Sequence, residues 1–471
     1  MSRHPSLPAD VRVTDHCLAW FAVGVLILLG ISSRLSAAEP PRLIGHAQHG
    51  QLQVAAERFA TMVVPETRTG SMTGESVRQV ASPLKTTVML LKDNDSEVAL
   101  VMTDFNFSIF RDYAVTWALR REAAAILELP VEQVLLFFSH NHSDGRMAQE
   151  RTMTVFDGAA PDAEEDPSWN ETGRRFLDGL RSASTDLRTR LQPVTVEWTE
   201  GWEDRITYNR KGRRADGSSY FMREEDRRKV GGDYRGDTDF QVPVVVFRGE
   251  DGAAVAGLIQ FTGHPVTTFN PQDPVVHGEW PMIAADMLGE ALASTGTDPV
   301  PVGFLQGCAG DVNSKEMFEG GVERAVYFGQ LLGRTAITAL EQLQPAHHAG
   351  VDHASVVAPV PLANLPSVSE LKAELAEMED FIARAEAGDP DTLACVGLNF
   401  PKALTPQYRA NLVRAIQPWN EWALEQHAAG TIAELPQVLP VRNATVEEFS
   451  RLLLARLVAA SEGAALRELA L

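Results

Sequence analysis

Residues 98–103 (VALVMT), 113–127 (YAVTWALRREAAAIL) and 134–139 (VLLFFS) follow one another in the chain. The outer two are short apolar runs bounded by polar residues, the pattern of buried strands, and the middle one repeats apolar residues at helical spacing. Strands alternating with helices predict an α/β domain with a largely buried sheet. The alternation continues on both sides, with strands expected at Thr86–Leu91, Val242–Phe247, Val255–Thr262 and Val302–Gln306. Helices are expected at Trp169–Leu191, Ile283–Ala293 and Val322–Leu343. The fold expected is α/β, a mixed buried β-sheet core flanked by helices, with a C-terminal helical segment. That segment begins near Pro359 and takes in helical patterns at Ser369–Ala385, Glu421–Ala429 and Ala444–Leu471. Glu39–Ser82 is weakly patterned, Met147–Pro167 reads as a polar surface loop, and no internal repeat is legible.

The N-terminus carries a different signal. Leu18–Ser33 is an uncharged apolar run preceded by Arg3 and Arg12 and followed by the small residues Ser36, Ala37 and Ala38, the layout of a secretory signal. At roughly 16 residues the run is short for a membrane-spanning helix, which needs about 20. The expectation is export, with a signal over 1–38, an α/β domain over 39–358 and the helical segment over 359–471; an uncleaved membrane anchor is the alternative. With 42 Lys and Arg against 63 Asp and Glu, the formal charge is −21. That balance excludes the basic footprint that neutralises nucleic-acid phosphates. Cys17 lies in the signal, and the spacing of Cys308 and Cys395 gives no basis for drawing a disulfide.

The chemistry-bearing residues sit at the ends of predicted strands. Phe137-Phe138-Ser139 runs into His140-Asn141-His142-Ser143-Asp144-Gly145. If the strand continues, His140 and His142 point the same way and can offer two imidazoles to one ion; the plainer reading is two polar residues at a strand end. Val255–Thr262 ends in Gly263-His264-Pro265, supplying a third imidazole where a buried strand surfaces. Three neutral imidazoles suit Zn²⁺ with one position open for water. Asp104, Asp144, Glu279 and Asp311 are candidates for orienting those rings or taking a proton from that water. The glycine-rich turn Gly303–Asn313 allows close backbone approach, and Gly310 and Asn313 are candidates for holding a substrate oxyanion.

Taken in order, Ser82-Pro83-Leu84, Asp104, His140-Asn141-His142-Ser143, Asn209-Arg210, Gly263-His264-Pro265 and Gln306-Gly307-Cys308-Ala309-Gly310-Asp311 resemble the neutral/alkaline, non-lysosomal ceramidases, over roughly Arg42–Pro345. The resemblance implies zinc-dependent cleavage of an N-acyl bond in a ceramide-like lipid, with Zn²⁺ on His140, His142 and His264. It also implies catalytic roles for Arg210, near the substrate, and for Asp311 in the Gly-Asp motif.

Two positions depart from the family pattern. Where the ceramide-cleaving members have serine after Gly-Asp-Val, this chain has Asn313, which disfavours a serine nucleophile and favours metal-activated water. The family's later zinc ligands, a glutamate in Pro-Gly-Glu and a tyrosine after Asn-Gly, find no match, since the sequence has neither Pro-Gly nor Gly-Tyr. A C-terminally shortened or divergent member is therefore expected, with Glu279 the candidate substitute ligand. The partners expected are a small-molecule or lipid substrate and, for a lipid, peripheral contact with a membrane. The competing readings are hydrolysis of another ester or amide, and a non-catalytic secreted binding or structural protein.

Overall fold

The computed structural model describes residues 51–65, 79–94, 96–106, 113–145, 147–148, 168–213, 219–229, 238–270, 273–346, 351, 357–361, 365–431, 438–442 and 445–446. The expected signal, most of the Met147–Pro167 loop and the tail beyond 446 lie outside them. The described residues all fall within one compact unit.

Two mixed sheets carry the α/β region. The first orders β4 (Val134–Phe138), β3 (Ser96–Thr103), β2 (Leu84–Asp93) and β1 (Gln53–Thr61), closed at its far edge by Gln192–Pro193. The second orders β8 (Val302–Gln306), β7 (Ala254–Phe261), β6 (Gln241–Arg248) and β5 (Thr195–Trp202), closed by Gln344–Pro345. In each, three successive strands pair antiparallel and the fourth joins in parallel. A parallel neighbour needs a crossover. The helices α1 (Tyr113–Leu127) and α3 (Glu279–Leu292) provide the two crossovers, and α2 (Glu171–Ser184) and α4 (Gly321–Ala339) follow the fourth strands. The sheet unit therefore occurs twice, although the sequence shows no repeat.

Burial explains the strand patterns. Val88 and Leu90 of β2 pack with Leu119, Ala123 and Phe176 of α1 and α2, whereas Met89 and Leu91 pack with Phe247 and Ala256 of the second sheet. A strand covered on both faces must be apolar on both, hence the unbroken run over 88–91. The outer face of the second sheet is covered by Trp280, Ala284 and Leu288 of α3 and by Phe328, Leu332 and Ala336 of α4. The result is a helix–sheet–sheet–helix sandwich. Gly303 lets the sheets meet, since a Cβ there would lie 2.1 Å from Met102 Sδ.

Beyond the sandwich, α5 (Val368–Glu386) starts at a reciprocal capping box between Ser367 and Glu370. It packs around Leu371, Met378 and Phe381 against α6 (Pro406–Ala429), whose Val413, Ile416 and Trp419 share the same core with Phe221. The helix expected at Glu421–Ala429 is thus much longer and runs through Pro418. Proline removes one backbone donor, but the buried Ile416, Trp419 and Trp422 hold the helix on either side. The C-terminal segment is also not purely helical. Val357–Pro361, Val438–Arg442 and Thr445–Val446 form a small antiparallel sheet, which places strand where the last helical pattern was expected to begin. Among the described residues no helix is long and apolar enough to cross a membrane.

Candidate metal centre

The sandwich brings three histidines to one end of its strands. One nitrogen from each of His140, His142 and His264 lies within 4.8 Å of the other two. The ring centroids of His140 stand 5.1 Å from those of His142 and 4.5 Å from those of His264. Three nitrogens bound to one Zn²⁺ at about 2.0–2.1 Å would stand roughly 3.4 Å apart, so the donor set fits with modest ring movement. Convergence holds, but not for the reason the strand alternation suggests. β4 stops at Phe138, and His140 takes φ +61°, a left-handed conformation outside any strand. A turn, not a pleat, aims the pair.

The fully buried Asn141 fixes that turn. Its Nδ2 donates to the carbonyls of His277 (2.7 Å) and Asp104 (3.2 Å), while its Oδ1 accepts from the Ser143 N–H (2.8 Å). Asn141→Ala leaves these buried groups unmatched and is expected to cost about 2 kcal/mol. A denaturant midpoint unchanged from wild type would contradict that role.

His264 is held from its other side. Its N–H donates to Val312 O (2.8 Å) and its carbonyl accepts from Ser314 N (3.0 Å), a parallel bridge centred on Asn313. Its Nδ1 stands 3.1 Å from the Val312 carbonyl, which can only accept, so Nδ1 carries the hydrogen and Nε2 keeps its lone pair. Burial lowers the pKa of His140 to about 4, with Arg210 adding to the effect, and holds that of His264 well below the usual imidazole range. These two rings are neutral at pH 7, the form that ligates a cation.

Arg210 follows the short strand Thr207–Asn209, which pairs antiparallel with Val312–Ser314. It donates to Asn313 Oδ1 (2.8 Å) and Gly310 O (3.0 Å) and reaches within 3.4 Å of His264 Nε2. The structure therefore links Arg210 to Gly310, Asp311 and Asn313 beside His264. The Asn313 side-chain oxygen accepts from Arg210, and one hydrogen of its NH₂ meets Met317 Sδ (3.2 Å). Asp311 accepts from Asn209 Nδ2 (2.9 Å) and from the Arg210 N–H through its carbonyl (2.8 Å), which makes it a brace for Arg210. A Cβ on Gly310 would meet nothing within 4 Å.

Glu279 stands outside the three-histidine cluster. Its Oε1 accepts from the N–H and hydroxyl of Thr268, and among the described residues its Oε2 has no hydrogen-bond partner. Burial pushes its pKa up to about 7, opposed by the Thr268 bonds. It is a core carboxyl behind the site, because the α3 start that carries it packs inward, at φ +59°. Asp104 is likewise raised to about 7 by burial; its Oδ2 accepts from Lys85 N (2.9 Å), and it reaches the histidine turn only through its carbonyl. Asp144 accepts from Asn106 N (2.8 Å). Sequence reasoning did not single out Phe269, whose ring lies 5.3 Å from that of His142 and 5.4 Å from that of Phe318. An isolated phenylalanine in a polar stretch carries no signal of its own. Cys308 is exposed and Cys395 buried, and no disulfide joins the two.

Three imidazoles at strand ends of an α/β sandwich define a candidate transition-metal centre. No protein-family model matches the chain, and no curated protein matches it. Among the solved structures that align with it are two ceramidases. A ceramidase complexed with C2 is 15% identical, covering 68% of this chain and 48% of that one at a TM-score of 0.48. The neutral ceramidase of Pseudomonas aeruginosa is 15% identical, covering 69% and 53% at a TM-score of 0.47. The chain spans about half the length of each.

Proposed function

We propose that this chain is an exported, zinc-dependent amide hydrolase that cleaves an N-acyl bond in a ceramide-like lipid. The observation that carries the metal part is the convergence of His140, His142 and His264, with the His264 tautomer set by Val312. The ceramide-like substrate is favoured by the order of the motifs from Ser82 to Asp311, and export by the apolar run at Leu18–Ser33. His140, His142 and His264 would hold the cation, which when bound supplies Lewis acidity and lowers the pKa of water in the open position. Arg210 brings a fixed positive charge beside the cluster, braced by Asp311 and Asn313, where it can steady developing negative charge on the substrate oxygen. Phe269 and Phe318 give the His142 side of the site an apolar wall.

A second reading, a metal-binding protein without hydrolase activity, is favoured by the engagement of Glu279 with Thr268 rather than with the cluster. One experiment separates the two. Metal analysis of the purified protein is paired with release of fatty acid from an N-acylsphingosine, before and after chelation. Near-stoichiometric zinc and a chelator-sensitive activity restored by zinc are expected. Zinc without release from any amide gives the second reading, and no bound metal defeats both.

A further inference from the structure

We propose that Gln306 is the positioning residue of this centre, its side-chain amide clasping the two histidine-bearing turns together. Its Nε2 donates to Ser139 O (2.8 Å) and to Gly263 O (2.7 Å). Each of those carbonyls immediately precedes a candidate ligand, His140 or His264, and the two lie far from each other in the chain. Gln306 ends β8 in the second sheet, paired with Phe261, whereas Ser139 follows β4 of the first sheet. The amide therefore spans the two sheets at the point where their histidines meet. A main-chain link between the same turns, from His142 N to Pro265 O, is long at 3.4 Å.

The orientation of the amide is unambiguous, because two carbonyl oxygens can only accept, so both hydrogens of the NH₂ face them. Among the described residues Gln306 Oε1 is buried without a hydrogen-bond partner. An unmatched buried acceptor is unfavourable, so an apolar side chain of the same length would fit more cheaply were the two donated bonds irrelevant. Groups that orient ligands from behind typically change metal affinity by 10–100-fold when removed.

The inference rests on the metal reading of the cluster, and the test keeps the two apart. Co²⁺ is titrated into metal-free wild type, Gln306→Met and Gln306→Glu, following the cobalt absorption bands and the thermal midpoint. Gln306→Met keeps length and volume without donors; Gln306→Glu turns oxygen lone pairs on both carbonyls. Wild type is expected to bind one Co²⁺, and each variant to bind at least about tenfold more weakly with altered bands while remaining folded. Wild-type failure to bind defeats the metal reading and the inference with it. Variants that bind with wild-type affinity and spectrum defeat the inference alone. Failure of both variants to fold also overturns it, since the clasp is held to orient imidazoles in sheets that form without it.

Discussion

His264→Ala is expected to drop bound metal from about one ion per chain to below about one-tenth and to lower amide hydrolysis by roughly 10³-fold or more, because two imidazoles alone hold a cation poorly. The fold should survive. The bonds that dock this residue, from its N–H to Val312 O and from Ser314 N to its carbonyl, are main-chain and persist in alanine. Metal content and circular dichroism measured together decide the matter: full zinc in a folded His264→Ala protein would exclude this ring from the centre. The side chain also removes its Nδ1–Val312 bond, so a small loss of stability is expected beside the large loss of metal.

The second large effect is on stability against pH. The carboxyl of Glu279 is raised from 4.5 to about 7 by burial, so the folded chain binds more protons than the unfolded chain between those values. Stability therefore falls as pH rises through this window and is level above about 7. At about 1.4 kcal/mol per pH unit the contribution reaches roughly 3 kcal/mol. His140 and His277, both lowered to about 4 by burial, work in the opposite direction, adding stability as pH rises from 4 towards 6.5. Asp104, raised from 3.8 to about 7 by burial, adds to the fall and the lowered His264 to the rise, so the wild-type curve sums opposing contributions and the readout is the difference between Glu279→Gln and wild type. The glutamine keeps an acceptor for Thr268 and cannot ionise. The variant should gain relative stability by roughly 3 kcal/mol between pH 4.5 and 7, then run parallel to wild type; a constant difference across that range would show Glu279 to titrate normally.

Much of the fold is legible in the chain because buried strands and amphipathic helices write their burial into the order of residues. The six expected strands lie at or within a residue or two of β2, β3, β4, β6, β7 and β8, and Tyr113–Leu127 is α1 to the residue. The strands not foreseen are those whose burial depends on distant partners. β1 carries Arg58, which a strand pattern counts as exposed; in the fold it pairs with Asp286 and donates to Thr87 and Val302 O. β5 shows Trp198 and Trp202 largely exposed, so its pattern imitates a surface segment.

By itself the sequence determined the α/β class, the strand ends on which histidines sit, and the neutral-imidazole chemistry those residues can offer, because each is a property of neighbours in the chain. Only the tertiary structure decided that the sheet unit is used twice, that a left-handed turn at His140 aims the pair, and that Glu279 faces Thr268 instead of the cluster. It also brought Gln306, Ser139 and Gly263 within hydrogen-bond reach. The physical reason is that hydrogen-bond geometry and desolvation depend on which surfaces meet after folding, and those surfaces come from segments too far apart for local pattern to report.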